Sequence, residues 1–168
     1  MNMKHFLTLI AVLSWAASAS AALKTGDYLT PYEIKNVETG RQYCQVCAYG
    51  AKPGKIVAFG KLKDAAFWAD LKKLQALQDE HGQKLGVFAQ VIDSKDLKAI
   101  KAAATSHGII FPVVVAVERN WDKAYKVKGV SRTIYYGQRD NKIAWTSVGL
   151  DGAAARQLQE QVKKDLAG

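Results

Sequence analysis

Apolar and polar positions alternate with a period of two from Tyr32 to Val37, which predicts a half-exposed strand. Arg41 to Val46 can return beside it as the second strand of a hairpin. Ile56 to Gly60 is short, apolar and bounded by turn residues, the pattern of a strand buried on both faces. The period then lengthens. Phe67, Leu71, Leu74 and Leu77, with Trp68 alongside, recur at helical spacing behind a capping Asp64, and Gly82 stops the run. A further apolar strand is expected from Leu85 to Ile92. Ser94 then caps a second helix, with Leu97, Ile100 and Ala104 facing inward and Gly108 at its end. Ile109 to Val117 is the most apolar stretch of the domain, followed by an irregular segment around Asn120 and Trp121. Arg132–Tyr136 and Lys142–Val148 read as a hairpin about Asp140-Asn141, and Asp151 caps a closing helix with Leu158, Val162 and Leu166 on one face. Strands separated by crossover helices imply a parallel sheet centre, and the late hairpin implies an antiparallel edge. The class is α/β.

The first 21 residues do not belong to that pattern. A short start carrying Lys4, an apolar run from Phe6 to Ala17 too short to cross a bilayer, and Ala19-Ser20-Ala21 read as a secretory signal cut after Ala21. Residues 1–21 are therefore expected to be removed, and residues 22–168 to form one domain, periplasmic or secreted, without stable membrane insertion. The formal charge of +9 admits anionic partners. However, the lysines are scattered along predicted helix faces (Lys72, Lys73, Lys98, Lys101, Lys163, Lys164) with no basic run among aromatics. A solvated basic surface is the reading, not a nucleic-acid footprint. The pattern leaves the oligomeric state open.

Chemistry concentrates in Gly40-Arg41-Gln42-Tyr43-Cys44-Gln45-Val46-Cys47-Ala48-Tyr49-Gly50, which holds the only two cysteines of the chain. Three uses remain open. A Cys-x-x-Cys pair can cycle between dithiol and disulfide, and a nearby cation such as Arg41 favours the reactive thiolate. In such a pair the first cysteine, Cys44, is expected to be the nucleophile and Cys47 to resolve. A purely structural disulfide would close a very small loop, which stabilises little. A tetrahedral zinc site would need two further ligands, and the domain offers only His81 and His107, each beside a helix-ending glycine where an imidazole suits the helix C-terminus. No metal and no cofactor are expected, and the missing histidine after Cys47 excludes covalent haem. Trp121, Tyr125, Tyr135, Tyr136 and Trp145 are read as strand and core packing.

From Gly54 to Gly149 the chain resembles the thioredoxin-like superfamily and, within it, the alkyl-hydroperoxide-reductase (AhpC/TSA, peroxiredoxin-like) branch. The resemblance is carried by Gly54-Lys55-Ile56-Val57-Ala58-Phe59, by Val91-Ile92-Asp93-Ser94, by His107-Gly108-Ile109-Ile110-Phe111-Pro112-Val113-Val114, and by Tyr125 to Tyr136. It implies a thioredoxin-like fold: a central mixed β-sheet flanked by helices, here with an N-terminal β-hairpin carrying Cys44 and Cys47. It also makes Arg132 a second candidate for the cation that tunes a thiol. The departures matter. In that superfamily the reactive cysteine follows the first central strand, whereas Lys61-Leu62-Lys63-Asp64 stand there in this chain, and no peroxidatic Thr-x-x-Cys is present. Ser131-Arg132-Thr133 replace the expected Val-Pro-Thr, and Pro112 precedes a different strand. Conventional peroxiredoxin activity is therefore not expected. The expected function is that of an exported thiol–disulfide oxidoreductase exchanging with protein thiols and disulfides or with a periplasmic redox partner. The alternative is a non-catalytic binding module braced by a structural Cys44–Cys47 disulfide.

Overall fold

The computed structural model describes residues 22–118, 120–127, 130 and 132–167; the signal assigned to residues 1–21 lies outside them. Seven strands form one sheet: β1 (Glu33–Asn36), β2 (Gln42–Cys44), β3 (Gly54–Gly60), β4 (Leu85–Val91), β5 (Val113–Ala116), β6 (Arg132–Gln138) and β7 (Ile143–Ser147). Their spatial order is β2-β1-β5-β4-β3-β6-β7. The central β3, β4 and β5 are parallel, while β1–β2 and β6–β7 add antiparallel hairpins at the two edges. The α-helices among the described residues are α1 (Gln45–Ala48), α2 (Ala65–His81), α3 (Leu97–Ser106), α4 (Trp121–Tyr125) and α5 (Gly152–Leu166).

Side-chain alternation divides the core between the two faces of the sheet. Ile56, Ala58, Val87, Ala89, Val113, Val115, Ile134 and Tyr136 pack with Phe67, Trp68, Leu71, Leu74, Ile100, Leu158 and Val162 of α2, α3 and α5. Val57, Phe59, Phe88, Val114, Ala116 and Tyr135 pack on the other face with Val46, Tyr49, Tyr125 and the N-terminal Leu29, Tyr32 and Ile34. The central strands β3 and β4 are buried at every position, as continuous apolar runs covered on both sides should be.

Several boundaries differ from the sequence reading for identifiable reasons. Asp96, not Ser94, caps α3: its carboxylate accepts from Ala99 N–H, whereas Ser94 Oγ accepts from Asp96 N–H and shapes the preceding turn. Only Val113–Ala116 of the long apolar stretch is strand, since Pro112 has no N–H to donate and Ile110 stands 80% exposed in the loop before it. The segment around Trp121 is a one-turn helix rather than irregular. The hairpin about Asp140-Asn141 forms as expected, with Asn141 at φ +70°. Behind it the fully buried Lys55 ammonium donates to Gln138 O, Arg139 O and Asn141 Oδ1 at 3.1, 3.0 and 2.6 Å.

Candidate functional site

Cys44 ends β2, the edge strand, and is also the residue that caps α1. Its cross-strand partner is Glu33, whose carbonyl accepts from Val117 N–H just past the end of β5. The pair therefore lies at the end of the sheet toward which β3, β4 and β5 run. The chain then turns under the sheet. Gln45 and Val46, the two residues between the cysteines, are buried: Gln45 Oε1 accepts from Tyr43 OH at 2.6 Å, and Val46 enters the core. Burying these two turns Cys47 outward, so Cys47 is exposed and Cys44 half-buried. Tyr49 fixes the far end of this turn by donating its hydroxyl to Val87 O at 3.0 Å.

Cys44 and Cys47 are joined by a disulfide with their Cα atoms 5.2 Å apart. The backbone N–H of Cys47 points at Cys44 Sγ, 3.1 Å away. Once the disulfide opens, that N–H stabilises negative charge on the Cys44 sulfur, as backbone donors at a helix start do.

The structure does not bring Arg132 to this site. Arg132 begins β6, opposite Gly60, which is five strand positions or about 24 Å across the sheet from β2. It faces α2, where its guanidinium donates to Asp70 Oδ2 at 3.0 Å and packs over Gly149. Burial pushes the Asp70 carboxyl above the ordinary carboxylate value, and Arg132, a backbone bond from Leu150 and Lys73 pull it back. Nearby, the turn Lys61–Asp64 carries no thiol. Asp64 accepts from Ala66 and Phe67 N–H and occupies the start of α2 itself. His81 and His107 sit at the C-terminal ends of α2 and α3, on the face opposite α1, with His107 stacked on Trp68 at 5.2 Å. Among the described residues no group of three His, Cys, Asp or Glu is placed to hold a metal ion.

The aromatic residues divide. Tyr125, Tyr135 and Tyr136 are fully buried, as expected of packing residues, while Trp121 is only half-buried. Trp121 stacks on Phe59 at 5.7 Å and on Tyr32 at 6.5 Å and walls a cleft of about 260 Å³ at the ends of β4 and β5. Gln90 lines the same cleft, fully buried, its Oε1 accepting from Tyr32 OH at 2.5 Å. Burial and the adjacent Tyr125 raise the Tyr32 phenol well above its ordinary value, so it remains a donor. The sequence reading missed Gln90. Its signal was a single amide inside an otherwise apolar strand.

No protein-family model matches the sequence, and no curated protein is significantly similar to it. Solved structures do match. A candidate protein disulfide isomerase from Bacteroides thetaiotaomicron superimposes with a TM-score of 0.73 at 14% identity over 87% of this chain and 92% of that one. The fold is thioredoxin-like. The thioredoxin domain of a thiol-disulfide oxidoreductase from Bacteroides vulgatus matches with a TM-score of 0.71 at 12% identity, over 84% of this chain and 99% of that one. A secreted Mycobacterium tuberculosis disulfide oxidoreductase homologous to DsbE of E. coli matches with 0.64 at 10% identity, over 79% and 95%. At such identities the likeness is one of fold. This thioredoxin-like chain carries its cysteine pair on the edge hairpin rather than at the start of α2. Among the described residues no helix is long and apolar enough to cross a membrane.

Proposed function

We propose that the protein is an exported thiol–disulfide oxidoreductase that works through Cys44 and Cys47 on the thiols and disulfides of other proteins. The observation that carries this reading is the disulfide itself, placed at the sheet rim with Cys47 exposed and an N–H aimed at Cys44 Sγ. The fold it shares with disulfide-exchange proteins supports the reading, as does the export signal expected in residues 1–21. A bond that closes so few residues also adds little as a brace.

On this reading the roles are the reverse of those that the order of the cysteines suggests, because Cys47 is the exposed sulfur. Attack depends on access and on the leaving thiolate. An incoming substrate thiolate attacks the Cys47 sulfur; a substrate–Cys47 mixed disulfide forms, the Cys44–Cys47 bond breaks, and Cys44 leaves as a thiolate facing the Cys47 N–H. A second substrate thiolate then attacks the substrate sulfur of the mixed disulfide and releases Cys47. Two electrons pass from the substrate thiols to the pair, the substrate gains one disulfide, and the protein's thiolates take protons from solvent. In the reverse direction Cys47 attacks and Cys44 resolves. Peroxide reduction is not proposed, because the turn before α2 has no cysteine.

One observation favours a binding module with a structural disulfide instead: Asp64 caps the helix start where the resembled superfamily keeps its reactive cysteine. The reduction potential of the pair separates the two readings. A value between about −120 and −270 mV is expected of a catalytic dithiol, whereas a value below about −300 mV marks a brace and overturns the oxidoreductase reading.

A further inference from the structure

The cleft walled by Trp121 has features that core packing leaves unexplained. Gln90 is among its lining residues, fully buried, and although its Oε1 is satisfied by Tyr32, its Nε2 has no hydrogen-bond partner among the described residues. A buried amide N–H without an acceptor costs free energy comparable to a lost hydrogen bond. The remaining lining divides between apolar residues (Val91, Ile92, Val115, Ala116) and the polar Asp93, Ser94 and Lys95. The cleft also sits beyond the carboxyl ends of parallel strands, where open α/β sheets accept ligands.

Its position relative to the disulfide gives it a meaning. Cys44 and Trp121 pack against one cluster of buried side chains, so both lie on the same face of the sheet. They also share one end of it, because Glu33, opposite Cys44, bonds to Val117 one residue past Ala116 of the cleft. Between β5 and β2 stands only β1, a separation of two strand spacings or about 10 Å. An extended chain covers that distance in about three residues. Small thiols held at Cys47 would fall short of the cleft; an extended peptide would not. At about 260 Å³ the space is below the roughly 300–1,000 Å³ of a site for a whole small molecule and suits one residue.

We propose that this cleft is a substrate subsite: it receives an apolar residue about three positions from the cysteine undergoing exchange, in an extended peptide, with a carbonyl about one residue farther on, over β4, accepting from Gln90 Nε2. The proposal rests on the oxidoreductase reading, since it is the exchange at Cys47 that places the peptide. It makes the preferred substrates polypeptides with a particular spacing, not low-molecular-weight thiols.

A first test reads binding without redox chemistry. The oxidised domain, labelled with ¹⁵N, is titrated with a peptide bearing leucine three residues before a serine that replaces the cysteine. The Gln90 side-chain amide and the Trp121 indole are expected to shift saturably, and replacing the leucine by glycine should weaken binding at least fivefold. Signals that stay unmoved, or a leucine that makes no difference, overturn the proposal. A second test compares disulfide exchange of Gln90→Met with a leucine-bearing cysteinyl peptide and with dithiothreitol. The peptide rate is expected to fall about fivefold, as for loss of one neutral hydrogen bond, with the dithiothreitol rate unchanged. Trp121→Leu, which keeps the buried amide pair, should show the same selectivity. Equal slowing of both reagents would mean a disturbed disulfide and would also overturn the subsite. If the wild-type protein exchanges with neither reagent, it is the oxidoreductase reading that fails, and the titration still decides the cleft.

Discussion

The ring of Tyr49 fills the space that a side chain at Gly86 would occupy; a Cβ there would come within 2.5 Å of Tyr49 Cδ2. This contact pins the end of the cysteine-bearing turn to the middle of the sheet, and Lys52 reinforces it by covering the Tyr49 ring and donating to Gln83 O at 2.8 Å. The neighbouring atoms are a ring wedged against Phe88, so relief is difficult. Gly86→Ala is therefore expected to cost about 1–3 kcal/mol, as overpacking in a core does. Urea unfolding checks the magnitude. In the reduced variant, alkylation of the cysteines should also accelerate, because α1 is no longer held down.

Arg132 is expected to matter for the fold and not for the thiols. Asp70 is 5% exposed and Arg132 30% exposed at the side chain. Removing one partner of a fully buried pair costs about 3–5 kcal/mol; with a partly solvated guanidinium, Arg132→Met should cost about 2 kcal/mol. Its Cys44–Cys47 reduction potential should match that of the wild type. A shifted potential in a folded variant would restore Arg132 to the redox site.

The same pair predicts a pH dependence of stability. The Asp70 carboxyl titrates above its ordinary value in the folded protein because burial outweighs Arg132, Leu150 and Lys73. The folded state then binds the proton more tightly than the unfolded chain, so this group's contribution is full at acid pH and is lost as pH rises through the folded value. In Asp70→Asn that loss disappears. Comparing urea midpoints of the two proteins from pH 4 to 7, the wild type should lose ground relative to the variant as pH rises; parallel curves would contradict the assignment.

Single-cysteine variants report which sulfur meets the substrate. Cys44→Ser, which keeps the exposed Cys47, should accumulate a stable mixed disulfide when given a protein or peptide disulfide, whose other half leaves as a thiolate, detected by mass. Cys47→Ser should form it at least tenfold more slowly. The opposite ranking would return the attacking role to Cys44.

Much of the frame was legible because its signals are local. Phe67, Leu71, Leu74 and Leu77 sit at helical spacing, and Gly82 follows at φ +54°, a conformation that suits glycine; together these fix α2 almost to the residue. The site was legible only in part. Two cysteines at a two-residue spacing announce a pair, but which one faces solvent is decided by Gln45 and Val46 finding partners in Tyr43 and the sheet, contacts invisible in a linear pattern. Arg132 was singled out as a cation for the thiols; its partner proved to be Asp70, 62 residues earlier and on another element. Gln90 was read as one position of an apolar strand because its unmet N–H exists only once Tyr32 has been folded against it.

The brevity of the segment between Cys44 and Cys47 has a thermodynamic corollary. In a cycle linking oxidised and reduced, folded and unfolded forms, the stability that the bond adds to the fold must equal the extra resistance that the fold gives the bond against reduction. A bridge with only Gln45 and Val46 between its ends restrains little of the unfolded chain, so both quantities are small. The molecule can then hold or surrender two electrons at its rim while the sheet, the helices and their packing remain almost indifferent to the exchange.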